Sequence, residues 1–179
     1  MQAPALKRRR SPFLAPVWLS FAALGVLALA GWSIWHGART TLVLLVTPVD
    51  APLAQIADPP LTAEGEERAQ RLARILGAGT AVDAVYVSDD RRAQQTAAPL
   101  LEELHRTAQT FSAEQGTQLA ARAVREHGGG TVLVVAGGAV AGELLSGLSG
   151  SKLAGPGGGE LYVVSVPRFG GARVLRLHL

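Results

Sequence analysis

The stretch Thr41-Leu42-Val43-Leu44-Leu45-Val46-Thr47-Pro48-Val49-Asp50 decides how the rest of the chain is read. Apolar or β-branched residues run from Thr41 to Thr47 without interruption. That length and branching predict a strand buried on both faces, the habit of a central strand in an α/β sheet. Pro48 has no N–H to give to a ladder, so the strand ends there. In an open α/β sheet, ligands bind in the loops beyond the carboxyl ends of the strands. Thr47 to Asp50 is therefore the first place to look for chemistry.

Downstream, strand and helix patterns alternate. Thr62 is placed to cap a helix, with Glu64, Glu66 and Glu67 meeting the dipole of its first turn. Ala69, Leu72, Ala73 and Leu76 form its apolar stripe, and Gly77 and Gly79 end it. Val82 to Ser88 reads as a strand, and Arg91 to His105 as a helix with Pro99 as a kink point. Gly116 to His127 reads as a further helix. Thr131 to Ala136 is the second strong strand and runs through Gly137-Gly138 into a helix from Val140 to Leu148. Glu160 to Pro167 and Ala172 to His178 alternate as a closing pair of strands. The sum is an α/β three-layer sandwich around a mostly parallel sheet, with an antiparallel piece near the end.

Two motifs follow the first strand in a telling order: Leu61-Thr62-Ala63-Glu64-Gly65 opening a helix, then Ser88-Asp89-Asp90-Arg91-Arg92-Ala93-Gln94-Gln95-Thr96. With that strand, they resemble the histidine phosphatase (phosphoglycerate mutase-like) superfamily, and the resemblance spans residues 41–179. It implies the family's sandwich fold. It also implies what should stand at the strand end, where the family reads Arg-His-Gly and this chain reads Thr47-Pro48-Val49. Family members pass a phosphoryl group to that histidine. Two arginines and a second histidine hold the oxygens, and a carboxylate protonates the leaving group.

The chemistry needs those residue types. A transferring phosphoryl spreads negative charge over three oxygens, so cationic donors must stand ready. The nucleophile needs a ring nitrogen with a lone pair. By the resemblance, the first arginine is Thr47 here, the nucleophile is Pro48 and the second histidine is Gly137. Proline supplies neither lone pair nor proton. Arg92 is the one clamp residue retained. No catalytic residue is therefore expected. What remains is a vestigial phosphate site of Thr47, Arg92, Gly137 and Gly138, where backbone N–H groups at a helix start attract anions. A tight turn at the two glycines, with Arg92 paired to Asp89 or Asp90, explains the same residues without a ligand. Glu114 is a candidate acid whose plainer reading is a solvated surface charge. Asp50 is a remote candidate for phosphorylation, with Lys152 the domain's one lysine.

No cofactor or metal is expected. The chain has no cysteine, and His36, His105, His127 and His178 show no ligand spacing with its acids. Four of the seventeen basic residues are Lys7, Arg8, Arg9 and Arg10, while all fourteen acids lie beyond residue 49. From Gly37 onward the balance is one net negative charge, so no nucleic-acid surface is indicated.

Phe13 to Trp35 carries no charge. As a helix it is roughly 34 Å long, enough for a bilayer core of about 30 Å. Trp18 near one end and Trp32 and Trp35 at the other suit the interfaces, and the basic cluster precedes the run while Arg39 follows it. The expectation is a cytoplasmic basic tail over 1–12, a transmembrane signal anchor over 13–35, and a domain over 41–179 outside the cytoplasmic membrane, in the periplasm or beyond. Cleavage after Ala28-Leu29-Ala30 is the alternative reading of the same run. In function, the expectation is a pseudoenzyme that binds a protein partner or a phosphorylated or otherwise anionic ligand. The alternative is a phosphomonoester hydrolase with a rearranged site.

Overall fold

The computed structural model describes residues 17–37, 40–48, 58–150, 157–168 and 170–178. The basic cluster, the first residues of the apolar run, Asp50 and Lys152 lie outside them. The chain divides into two units, Met1–Gly37 and Ala38–Leu179.

The first unit contains helix α1 (Val17–Gly37), which carries apolar side chains all round and no acid in its first turn. It continues unbroken through Ala28 to Gly31. Phe21, Leu24, Val26, Leu27, Leu29 and Trp32 are exposed along it. Its side chains are described from Leu19 to Trp32, and among the described residues no helix is long and apolar enough to cross a membrane.

The second unit is built on a six-stranded mixed sheet. In chain order its elements are β1 (Thr40–Val46), α2 (Ala63–Gly77), β2 (Ala84–Ser88), α3 (Arg91–Leu104), β3 (Ala108–Phe111), α4 (Gly116–Glu126), β4 (Thr131–Val135), α5 (Gly138–Ser149), β5 (Glu160–Pro167) and β6 (Arg173–His178). The strands lie in the order β3-β2-β4-β1-β5-β6. β3, β2, β4 and β1 run parallel, with Leu42 opposite Thr131 and Val46 opposite Val135. β5 and β6 join antiparallel. The fold is the α/β sandwich expected, with the two strong strands side by side.

β1 is buried on both faces for the anticipated reason. Val43 and Leu45 point to one side, with Val132, Val134, Leu119, Ala123, Leu144 and Leu145, where α4 and α5 pack. Leu44 and Val46 point to the other, with Leu133, Val135, Leu72, Leu76, Ala97 and Leu100 of α2 and α3. Alternate residues thus feed two separate cores.

Thr62 caps α2 as expected, accepting the Gly65 N–H at 3.1 Å. α3 runs through Pro99 as one helix and ends at His105, whose φ of 49° is left-handed. β3 departs from the sequence reading. It lies at one edge of the sheet, and of its four residues Phe111 alone is fully buried. So short a strand shows no apolar alternation.

Candidate functional site

The carboxyl ends of β1, β4 and β2, three neighbouring strands, bring Thr47, Gly137 and Ser88–Arg92 to one end of the sheet. The two motifs are joined there directly. The Leu61 N–H donates to Gln95 Oε1 at 2.7 Å, tying the start of the first motif to α3. A methyl group on Gly65 would sit 2.7 Å from Leu61 Cγ, so that position accepts glycine alone without a shift. Leu-Thr-x-x-Gly and Gln-Thr are thus two halves of one packing arrangement.

Thr47 is 2% exposed and its hydroxyl is fully used. It donates to Gly157 O at 2.8 Å, lies 3.2 Å from Glu160 O, and accepts the Glu160 N–H at 3.0 Å. The Thr47 N–H donates to Glu160 O, and the Gly159 N–H reaches the carbonyls of Thr47 and Pro48, both at 3.1 Å. Pro48 is buried beside it. Where the family resemblance puts a cation and a nucleophile, this chain has a neutral staple between β1 and the start of β5.

Behind that staple Glu160 is buried. Its Oε2 accepts the Gly157 N–H at 3.0 Å and the Tyr162 hydroxyl, and its Oε1 takes a contact from Arg176 Nη2. His178 Nδ1 lies 3.6 Å from Oε1. Burial alone would raise the Glu160 pKa, but the hydrogen bonds from Tyr162 and Arg176, with the Arg176 charge, leave it below the ordinary carboxylate value. Burial, then the Glu160 bond and charge, push Tyr162 up to about 12.

A second carboxylate stands near the start of α5. Asp90 caps α3, accepting the Ala93 N–H at 2.8 Å through Oδ1, while Oδ2 takes the Ser88 hydroxyl. A methyl group on Gly137 would lie 3.6 Å from that Oδ2. Gly137 opens α5 with no side-chain cap, and the Asp90 carboxylate lies beside it. Arg92 is half-buried on α3 and has its own partner. Asp58 holds the neighbouring Arg91 N–H at 3.0 Å.

One cation escaped the sequence reading. Arg68 of α2 lines a cavity of about 10 Å³ with Thr47, Pro48, Thr96 and Gly159, room for about one water. Its Nη2 lies 3.6 Å from Glu64 Oε1, and its buried Nε has no hydrogen-bond partner among the described residues. The signal was its place on the buried stripe Gly65, Ala69, Leu72, where a charge is out of pattern.

The other candidates are dispersed. Glu114 is exposed on a short 3-10 turn after β3. His127 Nε2 lies 3.3 Å from the Tyr86 hydroxyl, and the two rings meet edge-on. Among the described residues, no group of three or more His, Asp or Glu is arranged to hold a metal.

A model of the histidine phosphatase superfamily (branch 1) matches residues 47–115, the segment that carries both motifs. No curated protein matches the sequence. Solved structures share the fold at low identity. The protein histidine phosphatase SixA complexed with tungstate is 21% identical with a TM-score of 0.61, over 76% of this chain and 96% of that one. A mycobacterial glucosyl-3-phosphoglycerate phosphatase is 18% identical with a TM-score of 0.59, over 72% and 90%. A phosphoglycerate mutase from Bacillus anthracis is 17% identical with a TM-score of 0.58, over 79% and 94%. The segment that carries both motifs thus matches the model of the histidine phosphatase superfamily, and the fold is that of the solved structures named here.

Proposed function

We propose that this chain is a non-catalytic member of the histidine phosphatase superfamily, held at the outer side of the cytoplasmic membrane by its N-terminal helix and acting by binding a partner protein. The observation that carries this reading is Pro48. It stands at the end of β1, where the family resemblance places the nucleophile, and a proline cannot attack phosphorus. Losing the nucleophile of a catalytic unit commonly costs on the order of 10⁴ to 10⁶ in turnover. Gly137 in place of the second histidine and Thr47 in place of an arginine leave Arg92 alone of the clamp's three residues.

Membrane attachment is supported by a helix that is apolar all round and exposes its large side chains, a pattern suited to lipid rather than water. The four basic residues before it favour a cytoplasmic N-terminus. A reporter fused after Leu179 should be active outside the cytoplasm. A mature N-terminus at Gly31 would instead mean cleavage and release of the domain.

A bound phosphorylated or other anionic ligand is the second reading, supported by Arg92 and the start of α5. Inorganic phosphate separates the two. If the vestigial site of Thr47, Arg92, Gly137 and Gly138 holds an anion, phosphate raises the Tm and Arg92→Ala abolishes the rise. At a hundred times Kd that stabilisation is about 2.7 kcal/mol. No shift leaves partner binding. The solved relatives named above include phosphatases, and a domain that hydrolyses a phosphomonoester through a rearranged site would overturn both readings.

A further inference from the structure

The sheet ends in β6, whose outer side pairs with no strand among the described residues. In an antiparallel edge strand, every second residue turns its N–H and C=O outward, a row open to another chain. Natural edges are usually blunted, and β3, four residues long, is blunted by its shortness. β6 has six residues and opposes β5 along its whole length, from Arg173 opposite Ser165 to His178 opposite Glu160.

Its side chains are unusual for an uncovered edge. Leu175 and Leu177 share one face and are 58% and 40% exposed. They lie opposite Val163 and Leu161, and Leu161 is buried in the α2–α3 core. The helix layer that covers Leu161 therefore stops short of β6. Arg173 lies on the same face and is exposed. On the other face Arg176 and His178 approach Glu160. The segment 157–179 carries Arg168, Arg173 and Arg176 against the single buried acid Glu160, whereas residues 38–156 carry more acids than bases. The hairpin is the cationic margin of an otherwise acidic domain.

We propose that β6 is a docking edge for an extended, acidic segment of another protein, which adds to the sheet as a seventh strand. Backbone bonds to the outward groups of β6 supply affinity, and alternate side chains supply choice. Apolar residues of the added strand cover Leu175 and Leu177. Its carboxylates meet Arg173 on one face, and Arg176 with His178 on the other. A second copy of this chain fits poorly. Two β6 strands paired antiparallel about their centre would set Arg173 opposite the other copy's His178 and add no acid. This inference gives chemistry to the partner-binding reading but does not depend on the lost nucleophile.

The test uses the full chain in detergent micelles and a fluorescein-labelled octapeptide of alternating valine and glutamate, with a valine–lysine octapeptide as control. The acidic peptide should raise anisotropy on binding, more weakly as salt increases, and the basic peptide should not bind. Leu175→Ser with Leu177→Ser should weaken binding by on the order of tenfold, the effect of losing about 1.4 kcal/mol of contact. Arg173→Glu should shift preference towards the basic peptide. All three side chains are exposed, so the variants are expected to fold, and circular dichroism verifies it. Equal binding of both peptides, or binding unchanged in the variants, would overturn the proposal. So would concentration-dependent dimerisation that β6 substitutions abolish, or binding to anionic vesicles without binding to the peptide. Phosphate-ester turnover would overturn the non-catalytic reading and leave this one standing.

Discussion

The Asp90 carboxylate faces Gly137: a methyl group placed on the glycine would lie 3.6 Å from Oδ2. A negative charge thus stands at the helix start that would otherwise favour an anion. Asp90→Asn keeps an oxygen to cap α3 and removes the charge. The cap should survive, and the Ser88 hydroxyl's loss of a charged acceptor should cost about 1 kcal/mol. Phosphate should then raise the variant's Tm more than that of the parent chain. An equal response in both would show that the carboxylate does not oppose anions there.

Thr47 serves the fold. Thr47→Val keeps the shape and leaves Gly157 O and the Glu160 N–H without their hydroxyl partner. A cost of about 1–3 kcal/mol is expected, chiefly for the buried Glu160 N–H so orphaned. Chemical denaturation would measure it, and a loss under about 0.5 kcal/mol, the low end for a hydrogen bond, would contradict the staple. It follows that restoring an arginine at position 47 first breaks this link. Rebuilding the family's site is then a repacking problem as well as a chemical one.

How much of this was legible in the sequence depends on how local each signal was. β1, β4 and the cap at Thr62 were readable because an unbroken apolar run and an N-cap are written in adjacent residues. β5 was readable from alternation and has the expected bounds, Glu160–Pro167. β3 was not, since Ala108, Gln109 and Thr110 are not fully buried and the strand is defined by pairing with β2. At the site, Thr47, Pro48 and Gly137 could be compared with the family pattern position by position. The Thr47 staple was not, because its partners lie 110 and 113 positions away. Arg68 was passed over because a charge on a helix ordinarily reads as solvated.

The link between the two motifs predicts a coupled loss. Gln95→Leu removes the acceptor of the Leu61 N–H, and Gly65→Ala drives a methyl group into Leu61. Each should cost about 1–3 kcal/mol. Because both act through Leu61, their costs should add to less than the sum. Strict additivity in a double-mutant cycle would argue that the motifs are independent.

Glu160 gives the fold an acid-sensitive point. Its pKa is lowered in the folded state from an ordinary 4.5. For a depressed carboxylate, the stabilisation is present above the unfolded value and is lost as pH falls through the folded one. Stability should therefore decline on the acid side of pH 4.5, and Glu160→Gln should flatten that decline while lowering stability near neutrality. Denaturation midpoints from neutral to strongly acid pH would check this. An unchanged acid limb in the variant would place the sensitivity elsewhere.

The central claim is that the lost nucleophile has left a domain without phosphatase chemistry. The direct measurement is hydrolysis of a generic phosphomonoester by the purified chain, with Arg92→Ala beside it. The account predicts release of phosphate at the buffer rate in both. Turnover by the parent chain that disappears in Arg92→Ala would contradict it, because only a working phosphoryl site would need that arginine.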